Sequence, residues 1–132
     1  LPRAPRPISF ARLKETASVP LIYKIAPKSL WADAEAAGVF TGAPVDLADG
    51  YIHFSTAAQT RETAAKHFAG QSDLVLAIID ADRLGDALKW EPSRGGDLFP
   101  HLYRALRMDE VASVHLLPLT ADGAHDFGAL LT

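Results

Sequence analysis

Residues 74–79 read Leu-Val-Leu-Ala-Ile-Ile, six apolar side chains in a row between Asp73 and Asp80. A strand turns alternate side chains to opposite faces, so a run with no polar alternate has no face to give to water. The run predicts a central strand. At 132 residues the chain is long enough for one domain with a real core and too short for two. Hydrophobic residues make up 48% and charged residues 22%, an ordinary globular balance, and no apolar stretch approaches the roughly 20 residues of a membrane span. No cysteine is present, which removes a disulfide framework, a thiolate zinc site and a thiol nucleophile.

Around this strand the pattern predicts an α+β domain over about 20–119. Residues 21–25 read as a short strand, with Leu21, Tyr23 and Ile25 on one face and Ile22 and Lys24 on the other. A helix follows through Leu30, Trp31, Ala34 and Ala37 and stops at Gly38. Residues 39–50 carry Gly42, Pro44, Asp46, Asp49 and Gly50 and read as a loop. A strand over 51–55 leads into a second helix, started by the capping-box pair Thr56 and Gln59 and continuing to about Ala69. Short strands around Leu88–Trp90, 98–106 and 111–117 complete the set, giving two main helices and five or six strands. Segment 120–132 is weakly patterned and reads as a C-terminal tail. Segment 1–19 carries Arg3, Arg6, Arg12 and Lys14 against Glu15, has three prolines in seven residues, and reads as a disordered tail or a cloning remnant. The remaining residues carry a net −6, which argues against a broad nucleic-acid surface.

The stretch Asp-Gly-Tyr-Ile-His-Phe-Ser-Thr, 49–56, holds the first candidate site. Alternation turns Ile52 and Phe54 to the core and Tyr51, His53 and Ser55 together to the other face. His53 and His101 are each bracketed by aromatics, Tyr51 and Phe54 around one, Phe99 and Tyr103 around the other, and each lies near an element boundary. The bland alternative is that both merely fix loops. His67, His115 and His125 read as surface or structural residues. No two histidines have HxH or HxxxH spacing, so no metal site is expected. Dinucleotide, phosphate-loop and nucleophile-elbow motifs are absent. Glu91 reads either as a base or as an edge-strand carboxylate.

Three segments, LIYKIAPKSLWADAEAAG, DGYIHFSTAAQ and WEPSRGGDLFPHLYRAL, resemble in order and spacing the bacterial family called domain of unknown function 952. Its pattern is similar to IYHI, then GFIHxST with a glutamine three residues on, then WEP…LFPHIYGPL. The resemblance spans about 21–119. It implies an ADP-ribosyltransferase-like fold, with split antiparallel β-sheets and a ligand cleft between them. On that footing His53 and His101 are the candidate catalytic residues. Tyr23, Lys24, Tyr51, Ser55, Thr56, Gln59, Glu91, Tyr103 and Arg104 are the candidate ligand contacts. Lys24 stands where the family often has histidine, and Arg104 where it often has glycine. His101 occupies a position where protein ADP-ribosyltransferases use glutamate, which weighs against ordinary protein mono-ADP-ribosylation.

The resemblance implies a small nucleotide-like ligand, with NAD as a substrate rather than an essential cofactor, or an RNA 2′-phosphate. Lys24 and the backbone N–H groups at Thr56–Gln59 would face phosphate. The alternatives are a binding module without turnover and a small hydrolase pairing His53 with Glu91. A cytoplasmic location without membrane contact is expected.

Overall fold

The structure, a computed structural model, describes residues 20–131. The basic segment 1–19 lies outside the described residues. The 74–79 run becomes strand β4 (Leu74–Asp80), flanked antiparallel by β1 (Leu21–Pro27) and β8 (Val111–Leu117). All six apolar residues are buried, and their alternation explains why none is polar. Val75, Ala77 and Ile79 enter one core with Ile22, Trp31 and Phe40. Leu74, Leu76 and Ile78 enter a second with Tyr23, Ala64 and Leu117. The weakly patterned C-terminal stretch adds Phe127 to this second core, and His125 there bonds the Gln71 carbonyl through Nε2 at 2.9 Å.

Helix α1 (Lys28–Ala37) buries Trp31 and Ala34 and ends at Gly38, whose φ of 85° and N–H bond to the Ala34 carbonyl suit a residue without a Cβ. The loop expected over 39–50 is mostly structured. It begins with β2 (Val39–Phe40), paired to β7 (Leu106–Arg107), and continues into a third helix, α2 (Pro44–Asp49). Six residues are too few to display a helical apolar period. Proline opens this helix, and Asp46 accepts the Ala43 N–H at 2.8 Å.

The strand expected over 51–55 condenses to β3 (Ile52–His53), because its two ends serve different sheets. β3 pairs with β6 (Leu98–Leu102), and β6 with β5 (Leu88–Pro92). Two residues later the chain changes partner. Ser55 exchanges both backbone bonds with Tyr23 of β1, at 2.8 and 2.9 Å. The two sheets therefore touch at one residue pair and diverge from it.

Helix α3 (Ala57–His67) starts at the expected cap: Gln59 N–H donates to Thr56 Oγ1, and Thr56 N–H to Gln59 Oε1. Gln59 Nε2 also donates to the Leu98 carbonyl at 2.8 Å, tying α3 to β6. The class is α+β, with three α-helices among the described residues instead of two. No helix of the described residues is long and apolar enough to cross a membrane.

Phe54 is 2% exposed and packs in the first core, on the face opposite His53. Phe54→Ala is predicted to cost about 3–5 kcal/mol in denaturant unfolding, the typical loss on emptying an aromatic core position.

Candidate functional site

Where the sheets diverge, a buried carboxylate takes the place of ladder pairing. Bonded pairs in an antiparallel ladder recur every second residue, so after Tyr23–Ser55 the next would join Ile25 to His53. Instead the His53 N–H donates to Asp46 Oδ1 at 3.1 Å. Asp46, 1% exposed, takes four further contacts. Lys24 Nζ reaches Oδ1 at 3.1 Å and Oδ2 at 2.9 Å, the His53 ring reaches Oδ1 through Nδ1 at 2.6 Å, and the Ala43 N–H reaches Oδ2. Burial pushes the Asp46 carboxyl up, but the His53 bond, the Lys24 charge and bond, and the Ala43 N–H outweigh it and hold it at about 2. Burial dominates at Lys24 and lowers its pKa, opposed by Asp46.

The backbone beneath Asp46 is fitted to it. Gly42 has φ 127°, and a Cβ there would stand 2.9 Å from the Asp46 Cβ.

The two candidate histidines sit directly opposite each other on β3 and β6. Phe54 N–H bonds the Pro100 carbonyl, so alternation makes His53–His101 the non-bonded kind of pair, in which side chains approach most closely. Their ring centroids are 5.5 Å apart, edge to face. Tyr51 packs on both, stacked on His101 at 4.2 Å and tilted to His53 at 4.7 Å, with Tyr103 at 5.1 Å.

Each imidazole is held by carboxylates. His101 Nδ1 lies 2.8 Å from Glu91 Oε1, which also accepts the Tyr103 hydroxyl at 2.7 Å. These two bonds, Tyr103's foremost, hold the Glu91 carboxyl below its ordinary range, and the same bond pushes Tyr103 up to about 12. His53 Nδ1 faces Asp46 and Nε2 faces Asp49 Oδ2 at 2.9 Å. A carboxylate only accepts, so both bonds are made together when the ring carries both protons.

A cleft of about 540 Å³ opens in the split, lined on one wall by Tyr23, Lys24 and Ile25 and on the other by His53, Ser55 and His101. Ser55 Oγ lies 3.0 Å from Thr63 Oγ1. Of the expected site residues, the structure thus brings Tyr23, Lys24, His53, Ser55 and His101 to the cleft. Tyr51, Glu91 and Tyr103 lie behind the imidazoles and buttress them. The expectation that Tyr51 lines the cleft is corrected: its ring is spent on the two imidazoles.

Three expected contacts are placed elsewhere. Arg104 clamps Glu110 with two bonds, at 2.9 and 2.8 Å, and also holds the Leu84 carbonyl. Thr56 and Gln59 saturate each other in the helix cap. Glu91 bonds His101 rather than His53, which dissolves the expected His53–Glu91 pairing. Asp46 and Asp49 are the residues that sequence reasoning missed. A proline followed two residues later by a helix-initial aspartate was the available signal.

The family model described as "Protein of unknown function (DUF952)" matches residues 25–114. Protein CC0527 from Caulobacter crescentus is similar in its X-ray crystal structure, with 53% identity and a TM-score of 0.81 over 84% of this chain and 97% of that one. Its solution NMR structure gives 53% identity and a TM-score of 0.77 over 85% and 97%. No curated protein matches.

Asp46→Ala leaves the buried Lys24 ammonium without its counter-charge and is predicted to cost about 3–5 kcal/mol in denaturant unfolding. The double variant Lys24→Met with Asp46→Leu should recover only the share due to the unpaired ammonium, because the His53 and Ala43 N–H groups still lose their acceptor. The pH dependence has a definite sign. A carboxyl near 2 when folded and near its ordinary 3.8 when unfolded stabilises fully above pH 4, and that support is lost as pH falls toward 2. The stability gap between the wild type and Asp46→Asn should therefore narrow, by on the order of 2 kcal/mol, between pH 5 and pH 2.

Proposed function

The chain belongs to the family described as protein of unknown function DUF952, and from that premise we propose that its cleft binds a nucleotide-like ligand of the NAD class by its nicotinamide-ribose half. The observation that carries the reading is the facing pair of imidazoles, His53 and His101, on one wall of a cleft of about 540 Å³. That volume suits a ligand fragment of this size. The split of the two sheets at Tyr23–Ser55 is the feature that the ADP-ribosyltransferase-like reading expects.

His101 differs from the glutamate of protein ADP-ribosyltransferases, yet negative charge stands one bond behind it. Its Nδ1–H donates to the Glu91 carboxylate, which fixes the tautomer and leaves Nε2 as the acceptor for a ligand hydroxyl. When Nε2 takes that proton, Glu91 stabilises the resulting imidazolium, as a carboxylate behind a general base does. This supports a transferase reading in which His101 activates a ribose or acceptor hydroxyl.

Of the phosphate contacts expected from sequence, Lys24 and the N–H groups of Thr56 and Gln59 have other partners: Lys24 is committed to Asp46, and the N–H groups to their own cap. This favours recognition of the nicotinamide riboside half over the pyrophosphate, and disfavours an RNA 2′-phosphate.

Calorimetric titration with NAD, nicotinamide riboside, ADP-ribose and a 2′-phosphorylated oligoribonucleotide tests the reading. NAD and nicotinamide riboside should bind with similar affinity and the RNA should not. Equal silence from all four would refute it. Nicotinamide release on incubation with NAD marks turnover, and binding without release marks a non-catalytic module. His101→Ala should weaken NAD binding about tenfold, near 1.4 kcal/mol.

A further inference from the structure

One edge of the main sheet carries neither a charged residue nor a proline as a guard. β8 (Val111–Leu117) pairs only with β4 among the described residues. Its sequence, Val-Ala-Ser-Val-His-Leu-Leu, contains no proline and no Lys, Arg, Asp or Glu. Edge strands of monomeric proteins are normally guarded by such residues, because an open row of N–H and C=O groups templates further pairing. Val114 and Leu116 are also exposed, Leu116 to 64%.

The direction of each backbone group on β8 follows from the ladder. Tyr23 spends its N–H and C=O on Ser55, so Ile22, Lys24 and Ala26 are the residues of β1 that bond β4. Their partners Ile79, Ala77 and Val75 face β1, which leaves Ile78, Leu76 and Leu74 to bond β8. These pair with Ser113, His115 and Leu117. The backbone groups of Val114 and Leu116 therefore point outward, away from β4, while Ala112 is the extra residue at the irregularity in the register.

We propose that β8 pairs antiparallel with β8 of a second copy of this chain about a two-fold axis at Val114, joining two three-stranded sheets into one of six. In that register Val114 faces its own symmetry mate, and Ala112 faces Leu116 in both directions. The outward backbone groups of Val114 then meet their own symmetry equivalents, and the small Ala112 side chain meets the larger Leu116. Shifting the axis to Ser113 sets Leu116 opposite Glu110, and shifting it to His115 sets Ala112 opposite Pro118, which has no N–H to give. The intermolecular pairing ends at Val111 and Leu117, because the Pro118 carbonyl already accepts the Asp126 N–H at 2.8 Å and Leu119 pairs with His125 of the same chain. On the reverse face Ser113 comes opposite His115, the two groups that already bond within one strand at 2.9 Å. An interface in which one patch meets itself is the usual geometry of a two-fold dimer.

Sedimentation equilibrium of the intact chain at about 100 μM tests the assembly, with a mass twice 14.2 kDa expected. A single-chain mass at that concentration overturns the proposal. Val114→Lys places two ammonium groups against each other at the axis and should return the protein to monomer with its melting temperature nearly unchanged. A dimer that survives this substitution also overturns it.

The register is tested separately, and the absence of native cysteine makes cross-linking clean. Hydrogen-bonded antiparallel partners have Cα atoms about 5.5 Å apart, within disulfide reach. Val114→Cys should therefore oxidise to a covalent dimer. Ala112→Cys and Leu116→Cys should each fail alone and cross-link when mixed. Cross-linking of either one alone at the same rate would show a different contact.

Discussion

The cleft exists because one carboxylate interrupts a ladder. Tyr23 and Ser55 show that β1 and β3 begin to pair, with both backbone bonds formed at normal length. Two residues further along, the Asp46 side chain takes the His53 N–H that continued pairing would give to Ile25. A buried aspartate is costly unless its lone pairs are filled and its charge is opposed. Here Lys24, the His53 ring and two backbone N–H groups provide both. The same residue therefore holds the sheets apart, orients one of the two site histidines and neutralises the lysine on the opposite wall.

Rigidity on the other wall comes from a different source. His53 and His101 are fixed by cross-strand register, and the rings of Tyr51 and Tyr103 fill the space behind them. Below, α3 is bound to β6 by Gln59 and packs Ala64 against β1 through the second core. The cleft is thus built on strands and helix ends rather than on a mobile loop, which is what a preorganised binding surface requires.

Features governed by local rules were legible in the sequence. The apolar run at 74–79, the Thr56–Gln59 cap and the alternation through Ile52, His53 and Phe54 each depend on spacing alone, and each formed. Features governed by distant partners were not. Asp46 lies in a stretch rich in glycine, proline and aspartate, and nothing local says that Lys24 and His53 will converge on it. Arg104 illustrates the reverse error. It lies within the third motif, yet its guanidinium finds a bidentate carboxylate in Glu110. The bracketing aromatics singled out the two histidines and the sequence offered Glu91, but that Asp46 would stand behind His53 and Glu91 behind His101 was a matter of tertiary packing.

Those carboxylates give the two imidazoles different chemistry. His53 is engaged at both nitrogens, by Asp46 within the core and by Asp49 at the rim, so it has no free lone pair while both contacts hold. It is suited to donate, and to stabilise negative charge that develops beside it. His101 is engaged through Nδ1 alone, with Glu91 behind, and keeps Nε2 to accept. Two chemically identical side chains, 5.5 Å apart between ring centroids, are thereby divided into a donor and an acceptor by their second partners. Asp49 is the exposed member of the set, and a ligand that displaced it would free His53 Nε2–H to donate into the cleft. Ligand binding would then complete the donor–acceptor pair, while the buried Asp46 contact kept the ring in place.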